Sequence, residues 1–135
     1  MIKPIMKSEF FLRLPSEDAG PDDAATGQDL LDTLHEHEHE CVGLAANMIG
    51  VRKRIICVKD GNRALLMYNP QILEQVNAYQ TSEGCLSLAG ERPCTRYRRI
   101  KVEYLDENFV RRIKNFSGYT AEIIQHEIDL SAMPG

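Results

Sequence analysis

A histidine and a glutamate stand side by side in the stretch IIQHEIDL, residues 123–130. In the pattern H-E-x-x-H, two histidines one helical turn apart bind a metal, and the glutamate after the first one moves a proton. His126 and Glu127 match the start of this pattern, whereas Leu130 stands where the second histidine belongs. The stretch is therefore compatible with a working metallohydrolase, a metal-poor relative of one, or an ordinary helix with a chance His-Glu pair.

A cysteine flanked by small and apolar residues is the second candidate. Cys85 lies in SEGCLSLAG, residues 82–90, where it suits a nucleophile, a metal ligand or a buried filler. The four cysteines of the chain include no C-x-x-C pair, which excludes a zinc ribbon. Cys57, inside the apolar run RIICVKD, is expected to be a small buried residue. Cys85 is therefore the cysteine that we consider for chemistry.

A tract of alternating histidine and glutamate, HEHEHE at residues 35–40, also satisfies H-E-x-x-H through His35, Glu36 and His39. Alternation of this kind is typical of a solvated helix face, and the neighbouring sequence supplies no obvious third ligand. We therefore interpret the tract as surface. A loose surface metal site is the alternative, because His35 and His39 would lie one turn apart on a helix.

Helices near each end of the chain are predicted to flank a run of strands. Apolar residues at helical spacing predict a helix over residues 23–40. IKVEYLD, residues 100–106, alternates apolar and polar side chains and predicts a half-exposed strand that turns back into FVRRIKNF, residues 109–116. Ser117 or Thr120 is expected to cap a C-terminal helix. This arrangement indicates the α+β class.

The size and charge of the chain limit its class and its partners. The 135 residues are enough for one domain, which we expect to span residues 1–135. The net charge of -4 argues against nucleic acid or an anionic membrane as the partner. No apolar run approaches the roughly 18 residues that cross a bilayer, and Pro4, Lys7, Glu9 and Arg13 interrupt the start. We therefore expect a cytoplasmic protein without a signal peptide.

Three stretches, taken together, resemble the signature motifs of the peptide deformylase family. They are GLAANMIG (residues 43–50), EGCLS (83–87) and QHEID (125–129), and they occur in the family's order. The resemblance extends over nearly the whole chain. It implies mixed, mainly antiparallel strands packed around a C-terminal helix that carries the metal motif, with an N-terminal helix. It also implies a metal-dependent hydrolase that removes formyl from the N-terminal formyl-methionine of nascent polypeptides.

The resemblance implies roles for individual residues. Cys85 and His126 match two of the three ligands of a divalent metal, usually Fe²⁺, with Zn²⁺ or Ni²⁺ as alternatives. Glu127 matches the general acid/base that takes a proton from the attacking water and hands it to the leaving amine. Leu86 matches the residue whose backbone N–H binds the developing oxyanion. The implied partners are formyl-methionyl peptides or other short N-terminal peptides.

The resemblance also points to two substrate-binding residues. Gly43 is retained from the glycines of the first motif, where backbone approaches the substrate closely. Arg92 stands at the position of a family arginine near the active site, where it is expected to contact a substrate backbone or carboxylate. A solvated surface arginine is the alternative for Arg92.

The chain departs from the family pattern at two positions. Met48 replaces a glutamine that donates to the oxyanion, a loss that typically costs about 10²–10³ in rate. Leu130 replaces the third metal ligand, and its side chain is expected to project towards the metal position. We therefore expect substoichiometric metal, with a water, Asp129 after local unwinding, or a histidine of the HEHEHE tract as the substitute ligand. Beyond this point, Pro134 and Gly135 are expected to stop the helix.

Two alternative hypotheses keep the cleft but change its chemistry. A catalytically silent paralogue would bind short N-terminal peptides, by strand addition along an open sheet edge. A cysteine-dependent enzyme would use Cys85 as the nucleophile and His126 as its base. Metal content, turnover of a formyl-methionyl peptide and sensitivity to thiol alkylation distinguish these hypotheses from a deformylase.

Overall fold

The computed structural model describes residues 1–87 and 89–132, which form an α+β fold. Its helices and strands, in chain order, are α1 (Glu9–Leu12), α2 (Ala24–Glu36), β1 (Gly43–Ala45), β2 (Ile55–Asp60), β3 (Arg63–Gly84), β4 (Glu91–Leu105), β5 (Arg111–Ser117) and α3 (Gly118–Ala132). Short 3₁₀ helices cover Pro21–Asp23 and Ala46–Ile49. The predicted class, with mainly antiparallel strands between an N-terminal and a C-terminal helix, is confirmed.

The described strands form one sheet in the order β1-β2-β3-β4-β5, and each neighbouring pair is antiparallel. Strand β3 is long enough to serve two neighbours. Its first part, up to Tyr68, pairs with β2, whereas β4 pairs with Tyr68 and with the part from Gln71 onwards. The register shifts between these parts, where Asn69 adopts a left-handed backbone with φ 54°. Because such a bulge bends a strand, the second half of β3 can leave β2 and form a long hairpin that ends at Gly84.

The hairpin predicted from IKVEYLD and FVRRIKNF is confirmed as β4 and β5. Asp106 closes its turn, because the carboxylate accepts backbone hydrogen bonds from Asn108 (2.9 Å) and Val110 (3.0 Å). The alternation in β4 also has the predicted consequence, since its apolar residues are buried on one face: Ile100, Val102 and Tyr104. The hairpin therefore follows from local sequence alone.

Helix α3 packs against β1, β2 and β4. Its predicted core side is confirmed, because Ala121 and Ile124 are fully buried and Ile128 is half-buried. Fully burying one large aliphatic side chain stabilises a fold by about 1.5–3 kcal/mol. No helix within the described residues is long and apolar enough to span a membrane. The expectation that Pro134 and Gly135 stop the helix concerns residues outside the described part.

The start of α3 excludes one of the two residues that were predicted to cap it. The helix begins at Gly118, directly after Ser117. Thr120 lies inside the first turn, and its hydroxyl donates to the carboxylate of Asp60 (3.2 Å). The prediction of Thr120 as the N-cap is therefore wrong, because the residue lies inside the helix. Its hydroxyl instead connects the helix to the end of β2.

Helix α2 is shorter than predicted, because it ends at Glu36 instead of continuing to residue 40. His37 leaves the helical backbone with φ -103° and ψ 18°, and the following residues form a turn. This turn is needed because the chain must reach the sheet at Gly43, beside β2. His35 and His39 therefore do not share a continuous helix, and the alternative of a surface metal site loses its geometric basis.

Candidate active site

The ends of three elements meet around one cavity of about 520 Å³. Strand β3 ends at Gly84 and delivers the two residues after it, β1 contributes its first residue, and α3 contributes one face. The cavity is lined by residues from all three motifs: Gly43, Met48, Cys85, Leu86, His126 and Glu127. The topology therefore brings together six of the seven residues to which the sequence analysis assigned a role.

His126 is oriented by a carboxylate that the sequence analysis missed. Nδ1 of His126 lies 2.8 Å from Oε1 of Glu83, near the end of β3. Because the Glu83 carboxyl is ionised, Nδ1 donates the hydrogen bond, and in the neutral ring the lone pair is then on Nε2. Metal-ligating histidines commonly donate their second nitrogen to a carboxylate in this way. The ring of His126 is therefore held in the orientation that suits a metal ligand, with Nε2 as the nitrogen that is not bonded to Glu83.

A buried arginine holds Glu83 in turn. Arg96 is 7% exposed; its Nη2 donates to Glu83 (2.7 Å) and its Nη1 to Asp129 (2.6 Å). Burial acts to raise the pKa of Glu83, but the hydrogen bonds from Arg96, Glu122 and His126, together with the positive charge of Arg96, lower the pKa to about 2. Removing one partner of a buried ion pair costs about 3–5 kcal/mol. We call Glu83, Arg96 and Asp129 the ionic network.

Glu127 is a buried carboxyl group on the cavity wall. It is 4% exposed, and its Oε1 has no hydrogen-bond partner among the described residues. Burial, followed by the negative charge of Glu83, raises the pKa of Glu127 to about 8, although Arg96 acts in the opposite direction. A carboxyl group with this pKa can both accept and return a proton near neutral pH.

Gly43 packs directly against this carboxyl. A Cβ at position 43 would lie 2.9 Å from Oε2 of Glu127 and 2.8 Å from Cγ2 of Ile123. Real Cβ atoms do not approach other heavy atoms so closely, so a glycine is required where β1 meets α3. The glycine of the first motif therefore has a steric reason in this fold.

Met48 and Leu86, the residues aligned with the oxyanion donors, both line the cavity. Met48 is 1% exposed, and its Sδ accepts a hydrogen bond from the backbone N–H of Ala45 (3.4 Å). A thioether is a weak acceptor, so Met48 has no group that donates to a substrate oxygen. Leu86 is half-buried, and its carbonyl accepts a hydrogen bond from Nζ of Lys7 (2.6 Å). The contact with Lys7 was not predicted.

Arg92 lies beside a smaller cavity of about 160 Å³, which borders the first. Its side chain is 57% exposed, and Nη2 donates to Oε1 of Glu9 (3.2 Å). Exposed ion pairs of this kind contribute about 0–1 kcal/mol. The position agrees better with the surface arginine that the sequence analysis kept as the alternative.

Leu130 borders the same smaller cavity, together with Cys85 and His126. It is 5% exposed, and Nδ2 of Asn47 donates to its carbonyl (2.8 Å), which anchors this turn of α3. The apolar side chain thus lies beside the space that the thiol and the imidazole share. It offers no lone pair at the place where the third metal ligand was expected.

The donors present fit two of the three expected metal ligands. Cys85 offers a thiolate and His126 offers Nε2, a combination typical of sites for later transition metals. Within residues 1–87 and 89–132, there is no group of three or more His, Cys, Asp or Glu side chains that could hold a metal ion. Asp129 is engaged in the ionic network, and His35 and His37 pair with Glu38 and Glu40 of the HEHEHE tract. A third protein ligand is therefore missing from the described part of the chain.

Comparison with known proteins agrees with this geometry. Residues 6–132 match the model of the family described as polypeptide deformylase. The peptide deformylase of Clostridium beijerinckii is 51% identical over 129 residues, covering 96% of this chain and 95% of that protein. The fold matches a class I type b peptide deformylase from Acinetobacter baumannii with a TM-score of 0.88 and 27% identity, covering 99% of this chain and 96% of that one. The peptide deformylase from Thermotoga maritima matches with a TM-score of 0.88 and 26% identity, covering 99% and 94%. The chain therefore belongs to the polypeptide deformylase family, whose members are metal-dependent amide hydrolases.

Proposed function

We propose that this protein removes formyl from formyl-methionyl peptides in the cavity lined by Cys85, His126 and Glu127. One observation carries the proposal: a buried carboxyl with a pKa of about 8 shares a cavity with a thiol and with an imidazole that is oriented by a carboxylate. Family membership indicates the reaction, and this arrangement supports the assignment of Cys85, His126 and Glu127 to it. A silent peptide-binding paralogue would not need a buried carboxyl that holds a proton, so the hydrolase is favoured.

Cys85 and His126 are the residues that would hold the metal. Fe²⁺ is the metal that we propose first, with Zn²⁺ or Ni²⁺ as alternatives, because thiolate and imidazole suit these ions better than Mg²⁺ or Ca²⁺. A bound divalent cation supplies Lewis acidity, which makes an attacking water far more acidic than bulk water. Glu83 keeps the Nε2 lone pair of His126 available for the cation. With Leu130 at the third position, we expect less than one metal ion per chain.

Glu127 moves the proton of the reaction. Its carboxylate accepts a proton from the attacking water as the C–O bond to the formyl carbon forms. The resulting carboxylic acid returns that proton to the amide nitrogen as the C–N bond breaks. The products are formate and a peptide with a free α-amino group. A pKa of about 8 suits both transfers at neutral pH, because neither form of the carboxyl is strongly disfavoured.

The backbone N–H of Leu86 donates to the formyl oxygen as negative charge develops there. Met48 lines the same cavity but cannot donate, so this chain depends more heavily on the backbone donor than the family pattern does. Gly43 lines the cavity and, because it has no side chain, packs directly against Glu127; contact between its backbone and the substrate stays a prediction. A substrate contact by Arg92 stays a prediction, since the side chain would have to leave its present ion pair.

The substrates are short formylated N-termini of nascent chains. The Acinetobacter structure is described with Met-Ala-Ser bound, which is the peptide that deformylation of formyl-Met-Ala-Ser would leave. Nascent chains of this kind arise in the cytoplasm, and we place the protein there. We also propose that its 135 residues form a single deformylase domain.

Formate release from formyl-Met-Ala-Ser tests this function. Protein loaded anaerobically with Fe²⁺ or Ni²⁺ is compared with Glu127→Gln, which keeps the shape of the side chain but cannot move the proton. We expect turnover by the unmodified chain and a fall of at least about 10²-fold in the variant. Acetyl-Met-Ala-Ser serves as the control substrate. Peptide binding without formate release would support the silent paralogue, and turnover that survives chelation but not alkylation of Cys85 would support the cysteine-dependent enzyme.

A further inference from the structure

The backbone that carries the proposed oxyanion donor lies outside the sheet. Strand β3 ends at Gly84 and β4 begins at Glu91, so Leu86 follows the last ladder position of one strand and precedes the first of the next. A side chain from the other end of the sequence reaches it: Nζ of Lys7 donates to the Leu86 carbonyl at 2.6 Å. Hydrogen bonds from ammonium groups are shorter and stronger than those between neutral groups.

Hydrogen bonds of the neighbouring residues hold the backbone on both sides of Lys7. Directly before it, the backbone N–H of Met6 donates to the carbonyl of Met48 (2.7 Å), on the cavity wall. Directly after it, Ser8 caps helix α1, since its hydroxyl accepts a hydrogen bond from the backbone N–H of Phe11 (3.2 Å). We call residues 6–9 the N-terminal strap. Its backbone is held on both sides of Lys7, so little freedom remains except in the lysine side chain.

The N-terminal strap also holds the far end of the same loop. Glu9 accepts a hydrogen bond from Arg92 (3.2 Å), one residue after the start of β4. The strap therefore contacts Leu86, the second residue after β3, and Arg92, the second residue of β4. The side chains of Lys7 and Arg92 do not line the substrate cavity, so neither charge faces the substrate directly.

We propose that Lys7 is a positioning residue for deformylation: its ammonium holds the Leu86 carbonyl and thereby aims the Leu86 N–H at the developing oxyanion. The N–H and the carbonyl of one residue are linked through two rotatable backbone bonds, so fixing the carbonyl restricts the direction of the N–H. The inference rests on the proposed function, which assigns the donor to Leu86. The effect of Lys7 on the rate is expected to be larger in this chain, because Met48 cannot act as a second oxyanion donor.

Kinetics of Lys7→Ala, Lys7→Arg and Lys3→Ala test the role. We expect Lys7→Ala to lower kcat by about tenfold, less than the ~10²–10³ for deleting a donor outright, with KM changed less than about twofold. Lys7→Arg restores most of kcat, because a guanidinium also donates to a carbonyl. Lys3→Ala is the matched control, since Lys3 belongs to the same N-terminal region and pairs with Asp29 at 3.9 Å. A raised KM with unchanged kcat in Lys7→Ala, or an equal loss in Lys3→Ala, overturns the proposal.

Amide hydrogen exchange gives a second readout that needs no turnover. Lys7→Ala should speed exchange at residues 85–87 by about fivefold or more, while α3 exchanges as before, because a local contact is lost and the global stability is kept. Wild-type exchange at Leu86 in Lys7→Ala overturns the proposal, as does faster exchange with an unchanged kcat. If the unmodified chain releases no formate, the proposed function fails, and the exchange at Leu86 still decides whether Lys7 holds this backbone.

Discussion

Replacing Leu130 with histidine should turn a two-ligand metal site into a three-ligand site. Position 130 is one helical turn after His126, and its side chain already borders the space shared with Cys85. Asn47 holds the Leu130 carbonyl at 2.8 Å, a contact that does not involve the side chain. The new imidazole would therefore emerge from an unchanged backbone, towards the two donors that are present.

The magnitude follows from what a ligand contributes. Disturbing a group that merely supports a ligand costs ~10–100-fold in affinity, so adding a ligand should gain more than about 10²-fold, roughly 3 kcal/mol. Before metal is added, the variant should be less stable than the unmodified chain. Position 130 is 5% exposed, and an unpaired polar group at a buried position costs about 1–3 kcal/mol. Saturating metal should more than offset this loss.

The assay combines metal content with affinity. Protein purified without oxygen is titrated with Ni²⁺ or Co²⁺ in competition with a coloured chelator, and the metal per chain is measured after desalting. We expect less than one equivalent in the unmodified chain and about one in Leu130→His. Ile128→His is the matched control, because it places a histidine on the same helix two residues earlier, where the half-buried side chain faces another direction.

Two results would refute this reasoning. A full equivalent of metal in the unmodified chain, held as tightly as in Leu130→His, would show that the chain supplies a third ligand after all. An equal gain in Leu130→His and Ile128→His would show that any added histidine on α3 suffices. Either result would remove the link between position 130 and the space beside Cys85.

Three further perturbations test other parts of the site. Met48→Gln should raise kcat for a formyl-methionyl peptide, by up to the ~10²–10³ that one oxyanion donor contributes, and an unchanged kcat would contradict the role given to this position. In metal-free protein, the folded state keeps a proton on Glu127 up to a pKa of about 8, whereas the unfolded state releases it near 4.5. The free energy of unfolding in chelator should therefore fall as the pH rises from 4.5 to 8, and Glu127→Gln should flatten that slope in urea titrations. Gly43→Ala should cost about 1–3 kcal/mol of stability through overpacking, while Gly20→Ala, where nothing lies within 4 Å of the added Cβ, should cost much less.

The residues that we propose for the chemistry were predictable because the reaction demands their types. A thiolate, an imidazole and a carboxylate in three ordered motifs identify Cys85, His126 and Glu127, and the structure places them in one cavity. The strand pairing of β4 with β5 was predictable as well, because apolar alternation and a turn at Asp106 lie close together in the sequence. Both inferences use information that is local to a short stretch.

Glu83 and Arg96, which orient His126, were missed because charged residues usually lie on the protein surface. Glu83 and Arg96 become buried only after β3 pairs with β4 and α3 covers that end of the sheet. One signal for Arg96 was present: it has the same parity along β4 as the buried residues Ile100, Val102 and Tyr104. Alternate residues of a strand share a face, but Arg98 has the same parity and is exposed, so the alternation alone does not single out Arg96 as the buried arginine.

The end of α2 and the reach of Lys7 could not be predicted for a different reason. Histidine and glutamate are compatible with continued helix, and the stop at Glu36 is imposed by the need to enter the sheet at Gly43. Likewise, the Lys7 side chain meets the Leu86 carbonyl across 79 positions of sequence. Nothing in the composition of either segment specifies such a contact, which exists only once the fold is assembled.

The orientation of His126 does not depend on a metal. The leucine at position 130 should therefore affect metal binding but not the orientation of His126. The imidazole is fixed by Glu83, which is fixed by Arg96, and neither of these contacts involves Leu130. Losing the third ligand therefore weakens metal binding without releasing the ligand that precedes it on the helix. We therefore expect metal to leave and rebind without refolding around His126, because the ionic network holds this imidazole without help from a metal.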